Sequence, residues 1–355
     1  MNHLNNIYHQ YQAINSVKRQ VDDETAMLHI DFAENYVSKY AEEVQAVHFG
    51  ASKPQISLHT AVLYHFGELD STITPFCTVS KNLRHDPVFI CNNLKPIIKI
   101  IKDLHPNLKT MHFVSDGPSS QYRNKSMFFL MANFLAVKLN VQSLVWDYNE
   151  AGHGKDSPDG IGAIVKRIAD QSVARGNDIA NFEQLITCLY ENCRGVQILS
   201  VDEENITEIE ELMARSLTPT FKGTLNVHQI TRSKNNPGLL RAQKLSCMDC
   251  RPHQICPHYE IGVISTETVH NRFESSIPSP PRNTKEVLPS SPPHSECTVT
   301  DYDSCHSSPE RRSPAIYSFT VQQRVTLESQ SESAVSLILL PSVPTEKCLY
   351  YKCRW

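Results

Sequence analysis

Residues 109–170 read KTMHFVSDGPSSQYRNKSMFFLMANFLAVKLNVQSLVWDYNEAGHGKDSPDGIGAIVKRIAD. The run 111–114 is apolar and rich in strand formers, and it stops at Ser115-Asp116-Gly117-Pro118. That pattern sets a carboxylate at the C-terminal end of a strand, followed by turn residues. Met127, Leu130, Met131, Phe134 and Leu135 then share one helical stripe. A second strand is expected over 143–148 and ends in Asn149-Glu150. A polar glycine loop, Gly152-His153-Gly154-Lys155, leads to Ser157-Pro158-Asp159, where serine suits a helix cap and proline the first turn. Ile161, Ile164, Val165 and Ile168 form the next helical stripe. The order is strand, acid, helix, strand, acid, loop, acid, helix. Its acids gather at strand ends and a helix start, where open α/β sheets place their sites.

Working back from this unit, residues 1–25 form a polar lead-in, helical or frayed. The segment 27–32 (MLHIDF) is a strand with Asp31 near its end, although an aspartate there can equally cap a turn. Segments 46–49, 56–66 and 72–79 are strand-like, and 56–66 is apolar on both faces, as in a strand covered on both sides. Asp86-Pro87 opens a helix whose stripe is Ile90, Leu94, Ile97, Ile98, Ile101 and Leu104, with Pro96 expected to kink or split it. Early strands joined by short turns and later ones joined by helical crossovers make a mixed α/β sheet with helices on its faces.

Downstream, 181–190 and 203–215 are helical, whereas 195–201 and 221–230 are strand-like. From about residue 275 to 355 the chain is rich in serine and proline and is expected to be a disordered tail. The division is a lead-in over 1–25, a core over 26–175, an accessory region over 176–274 and the tail over 275–355.

Composition narrows the partners. A chain of 355 residues that is 40% hydrophobic can bury a sizeable core. Its net charge of −4 gives no global basic signature, so a nucleic-acid partner needs a local basic patch. No signal peptide precedes the eleven scattered cysteines, which read as reduced and intracellular. No apolar run is long enough to span a bilayer, and no P-loop or dinucleotide fingerprint is present.

Asp31, Asp116 and a third acid, Asp159 or Glu150, carry the chemistry expected of the core. Clustered carboxylates stay ionised only around a positive charge, and an all-oxygen site suits Mg²⁺ or Mn²⁺. Strings 115–125 (SDGPSSQYRNK) and 150–167 (EAGHGKDSPDGIGAIVKR) resemble transposon-derived open reading frames of animal genomes. With the three-acid order, they resemble the RNase H-like core of DDE/DDD transposases and retroviral integrases, over roughly residues 25–260. The resemblance implies Asp31 and Asp116 as the first two metal ligands. Asp159, beside Gly160 and Gly162, is favoured as the third, although the helix dipole also suits an acid there. Glu150, 34 positions after Asp116, is the alternative and can equally be a loop acid. The implied activity is metal-dependent DNA cleavage or strand transfer, in the nucleus, with DNA as partner; a homodimer is compatible with it. The implied DNA-binding domain is not legible ahead of the first strand, which points to a truncated or domesticated form. The alternative is an inactive DNA- or protein-binding module on the same fold. Arg123, Asn124 and Lys125 can grip a DNA backbone or be solvated, as can His153 and Lys155.

Cys247, Cys250, His253, Cys256 and His258 form a second cluster with enough sulfur and nitrogen for a tetrahedral zinc. Unligated thiols fit the same spacing, and a distant ligand such as Cys188 or Cys193 can complete the set.

Overall fold

A computed structural model describes residues 2–42, 53–67, 70–150, 152, 157–203, 206–250, 254 and 256–268. The expected tail over 275–355, the strand-like segment 46–49, the loop residues His153 and Lys155, and His253 of the cysteine cluster lie outside the described residues.

Among the described residues nine strands form one mixed sheet, in the order β6-β3-β2-β1-β4-β5-β7-β8-β9. Its heart is β1 (Thr25–Val37), β2 (Gln55–Phe66), β3 (Ser71–Ser80), β4 (Thr110–Ser115) and β5 (Ser143–Tyr148). β1 pairs antiparallel with β2 and parallel with β4, and β4 pairs parallel with β5. This is the mixed sheet, with helices on both faces, that the sequence leads one to expect. β6 (Gln197–Ser200) adds in parallel to β3. β7 (Gln229–Ser233), β8 (Leu239–Gln243) and β9 (Glu260–Ser265) extend the other edge as an antiparallel meander.

Alternation along β1 sorts the two faces. Ala26, Leu28 and Ile30 point into the larger core with Phe76, Phe113 and Trp146. That core is closed by α2 (Pro87–Leu104), by α3 (Lys125–Leu130) and its continuation through a π-helical turn at Met131–Leu135 into α4 (Ala136–Leu139), and by Ile209 of α7 (Ile206–Ala214). Asp86 caps α2 as its sequence predicts, accepting from Phe89 N at 3.0 Å, but the helix runs through Pro96 as one element.

The opposite face has two covers. Ile14 of α1 (Asn2–Arg19) packs on Met27 and Val114. Val165 and Ala169 of α5 (Ser157–Ala174), with Leu185 and Leu189 of α6 (Phe182–Asn192), pack on Tyr36, Leu58 and Val79. Asp31 has the parity of Met27 and Ala33, so it belongs to this face, between the residues beneath α1 and those beneath α5.

The strand expected over 221–230 forms only from Gln229. Gly223 adopts a left-handed φ of 98° and opens a 3₁₀ turn over Thr224–Asn226. No helix among the described residues is long and apolar enough to cross a membrane.

Candidate functional site

Parallel pairing aligns the first two acids. β1 and β4 are in register through His29 opposite Val114, and Asp31 and Asp116 each lie two residues further on. β4 and β5 are in register through Ser115 opposite Tyr148, so Asn149 follows beside Asp116. Asn149 Nδ2 donates to Asp116 Oδ1 at 3.3 Å, and Asn149 N donates to Ser115 O at 3.0 Å. Asp31 Oδ1 accepts from Phe32 N at 2.8 Å.

Asp159 arrives on the first turn of α5. Two contacts set that helix down. Tyr64 Oη and Ser157 Oγ are hydrogen-bonded at 2.8 Å. Gly162 lies against β1 so closely that a Cβ there would stand 2.7 Å from Ala33 Cβ. Gly162→Ala therefore has to lift α5 away from Ala33. The expected cost is about 1–3 kcal/mol in thermal unfolding.

Burial and neighbouring charge shift two of the three carboxylates. Burial and then the charge of Asp116 push Asp31 up to about 7; the Phe32 N–H opposes this, and Asp159 adds to it. Burial also raises Asp116, the Asn149 hydrogen bond opposes this, and the charge of Asp159 adds to it. The raised Asp31 fixes a sign. Between about pH 4 and 7 the unfolded chain has released this proton while the folded chain keeps it. Its contribution to stability thus falls across that window, is constant above it, and vanishes where both states are protonated. Thermal unfolding without divalent metal should show Asp31→Asn gaining on the wild type from pH 5 to pH 8. Added Mn²⁺ should stabilise the wild type and not the variant.

Glu150 turns elsewhere. Its Oε2 lies 2.8 Å from His228 Nε2 and its Oε1 3.0 Å from His3 Nδ1. Its charge bears on Arg123, which burial otherwise lowers. Arg123 is buried: its Nε donates to Gly117 O at 3.1 Å and its Nη1 to Val227 O at 3.0 Å, and its guanidinium sits over the Tyr148 ring. It braces the loop after β4 and does not face solvent. Asn124 caps α3 by accepting from Met127 N at 2.9 Å. Gly162, noted in the sequence beside Asp159, is the point of close approach to β1, whereas Asn149 carried no sequence signal for its role beyond standing next to Glu150.

The cysteine cluster forms in the β8–β9 connection. The donor atoms of Cys247, Cys250, Cys256 and His258 all lie within 4.8 Å of one another. His258 Nδ1 is 3.4 Å from Cys247 Sγ and 3.5 Å from Cys250 Sγ, and Cys250 N donates to Cys247 Sγ at 3.4 Å. Burial opposes ionisation of Cys247, but hydrogen bonds from His258 and the loop amides outweigh it and lower the thiol to about 7. Burial pushes Cys256 up to about 12. Cys188 of α6 and Cys193 at its C-terminal cap belong to the core beside Cys77. Ser246 anchors the loop, its Oγ donating to the buried Asp147 Oδ1 at 2.6 Å. Gln10 of α1 holds the same serine, accepting from Ser246 N and donating to Ser246 Oγ, both at 2.9 Å.

Residues 10–245 match the model of a family described as a domain of unknown function (DUF8701). This segment contains all three aspartates and ends just before Cys247. No curated protein matches the chain. Among solved structures, the human cytomegalovirus terminase nuclease domain, Mn-soaked and inhibitor-bound, is similar at 11% identity with a TM-score of 0.22. The match covers 54% of this chain and 73% of that one, and at this level it carries no argument about chemistry.

Proposed function

This chain belongs to that family of domains of unknown function, and from this premise we propose that Asp31, Asp116 and Asp159 hold Mg²⁺ or Mn²⁺ for cleavage or strand transfer of DNA. One observation carries the reading. Asp31, at mid-β1 and not near the strand end expected from the sequence, and Asp116, just past the end of β4, lie in register on a parallel pair and are half-buried; the exposed Asp159, on a helix seated by a glycine contact, adds its charge to both. Only oxygen donors are offered, which suits a hard cation. Such ions activate a water or 3′-hydroxyl and stabilise the leaving oxygen of a phosphodiester. The chain's own part is orientation. Asn149 fixes the Asp116 carboxylate, Phe32 N–H fixes that of Asp31, and the Tyr64–Ser157 bond seats the helix bearing Asp159. In this reading the partner is DNA and the place of action is the nucleus. Incubating the full chain with supercoiled plasmid should give nicked circles with Mn²⁺ and none in chelator; plasmid left intact at all Mn²⁺ concentrations would contradict it.

Cys247, Cys250, Cys256 and His258 in turn suit zinc. Zinc–donor bonds of about 2.0–2.3 Å set tetrahedral donors roughly 3.3–3.8 Å apart, the range of the His258 contacts. Four protein donors leave no open position, so the ion's role is structural.

A second reading, an inactive DNA- or protein-binding module, draws on a different observation. Among the described residues, the group whose donor atoms already close to metal-binding spacing is the Cys/His one and not the aspartates.

A further inference from the structure

The other long helices of the described residues, α2, α5, α6 and α7, each contain an acid, and α1 differs from them in charge. Its eighteen residues contain no aspartate or glutamate and carry Lys18 and Arg19 in the last turn, in a chain whose net charge is −4. One side of the helix is buried through Gln10, Ala13 and Ile14. The other presents Leu4, Tyr8 and Tyr11, which are 71%, 67% and 62% exposed and follow helical spacing along one stripe. Large aromatic side chains so exposed, on an acid-free helix, contribute nothing to the core.

Their position gives them a use. Leu4, Tyr8, Tyr11 and Lys18 line a cleft of about 490 Å³ together with Asn149 and Glu150. Asn149 is the residue that holds the Asp116 carboxylate. On the other side, Lys18 Nζ lies 4.8 Å from the Tyr64 ring centroid, and Tyr64 is bonded to Ser157, two residues before Asp159. The tyrosine stripe and its lysine are therefore linked to the aspartate site from both sides.

We infer that the exposed face of α1 is a stacking platform for unpaired nucleotides, which delivers a single-stranded segment of nucleic acid to the Asp31–Asp116–Asp159 site. This rests on the proposed role of the aspartates. Exposed tyrosine rings offer π-faces to bases whose own faces are free, whereas in a duplex neighbouring bases cover those faces. Lys18 supplies positive charge for a phosphate on the approach to an acidic centre that would otherwise repel it. Tyr8 and Tyr11 serve binding and take no part in bond breaking.

The test is fluorescence anisotropy of a labelled twenty-nucleotide oligo-dT and of a duplex of equal length, with the full chain and no added divalent metal. Variants are Tyr8→Ala with Tyr11→Ala, and Tyr8→Phe with Tyr11→Phe; circular dichroism checks that helix content is kept. The wild type should prefer the single strand. The alanine pair should weaken that binding by roughly tenfold per tyrosine, while the phenylalanine pair, which keeps both ring faces, stays within about threefold. Single-strand affinity unchanged in the alanine pair overturns the inference, as does a preference for duplex or self-association through this face without oligonucleotide binding. Tyrosine-dependent binding without plasmid cleavage upholds the platform and removes only the catalytic reading. Cleavage combined with binding indifferent to both tyrosines removes only the platform.

Discussion

Replacing Asp116 by asparagine is expected to lower Mn²⁺-dependent DNA cleavage by at least about 10³-fold, roughly 4 kcal/mol of transition-state stabilisation. The change keeps the side chain's shape and leaves an oxygen for Asn149 Nδ2, which donates to Asp116 Oδ1 in the wild type. What it removes is one negative charge from a group of three. Because burial and the charge of Asp159 both disfavour ionised Asp116, the variant should fold at least as well as the wild type without metal. Lost activity with retained stability is thus the expected signature, and unfolding cannot be its cause. Glu150→Gln is the control. The Glu150 carboxylate faces His228 and His3, so its neutralisation should leave the cleavage rate within about threefold. Equal losses in the two variants would return Glu150 to the metal site.

The second large effect belongs to the Cys/His loop. Metal analysis of the purified chain should find one equivalent of zinc, and Cys247→Ser should lose it. Zinc binding of this type is folding free energy, so the loss should cost more than about 4 kcal/mol. It should also travel. Ser246 is hydrogen-bonded to Gln10 of α1 and to Asp147 of β5, and Cys247 N donates to Gln229 Oε1 of β7 at 3.2 Å. Hydrogen exchange should therefore rise in α1 and in β7–β9 and stay unchanged in α2 and α3. A zinc-free chain with wild-type exchange throughout would make the four side chains a reduced thiol cluster, an outcome their spacing in the sequence also allows.

Local signals in the sequence were the dependable ones. Asp86-Pro87 does open a helix, 111–114 and 143–148 are strands, and Ser157-Pro158 starts the helix that carries Asp159. Periodicity and turn residues report such features because they act within a few positions. What depended on distant partners was not legible. Arg123 reads as a surface cation and becomes a buried brace because Val227, far along the chain, supplies a carbonyl. Asp159 is favoured over Glu150 in the sequence for the glycines beside it, although the spacing of Glu150 from Asp116 also fits. What the sequence did not show is that Gly162, on the Asp159 helix, meets Ala33, and that Glu150 meets His228. The polar residues 1–25 hide a docked helix, since Gln10, Ala13 and Ile14 are too few to advertise its buried side. The addition of β6 beside β3, and of β7–β9 beyond β5, is likewise a matter of tertiary pairing.

The central claim is that Asp31, Asp116 and Asp159 share divalent cations. Mn²⁺ titration followed by electron paramagnetic resonance, on the wild type and on the triple variant Asp31→Asn, Asp116→Asn, Asp159→Asn, tests it without any substrate. The account predicts saturable Mn²⁺ binding by the wild type that disappears in the folded triple variant. Identical binding curves for the two proteins would contradict it.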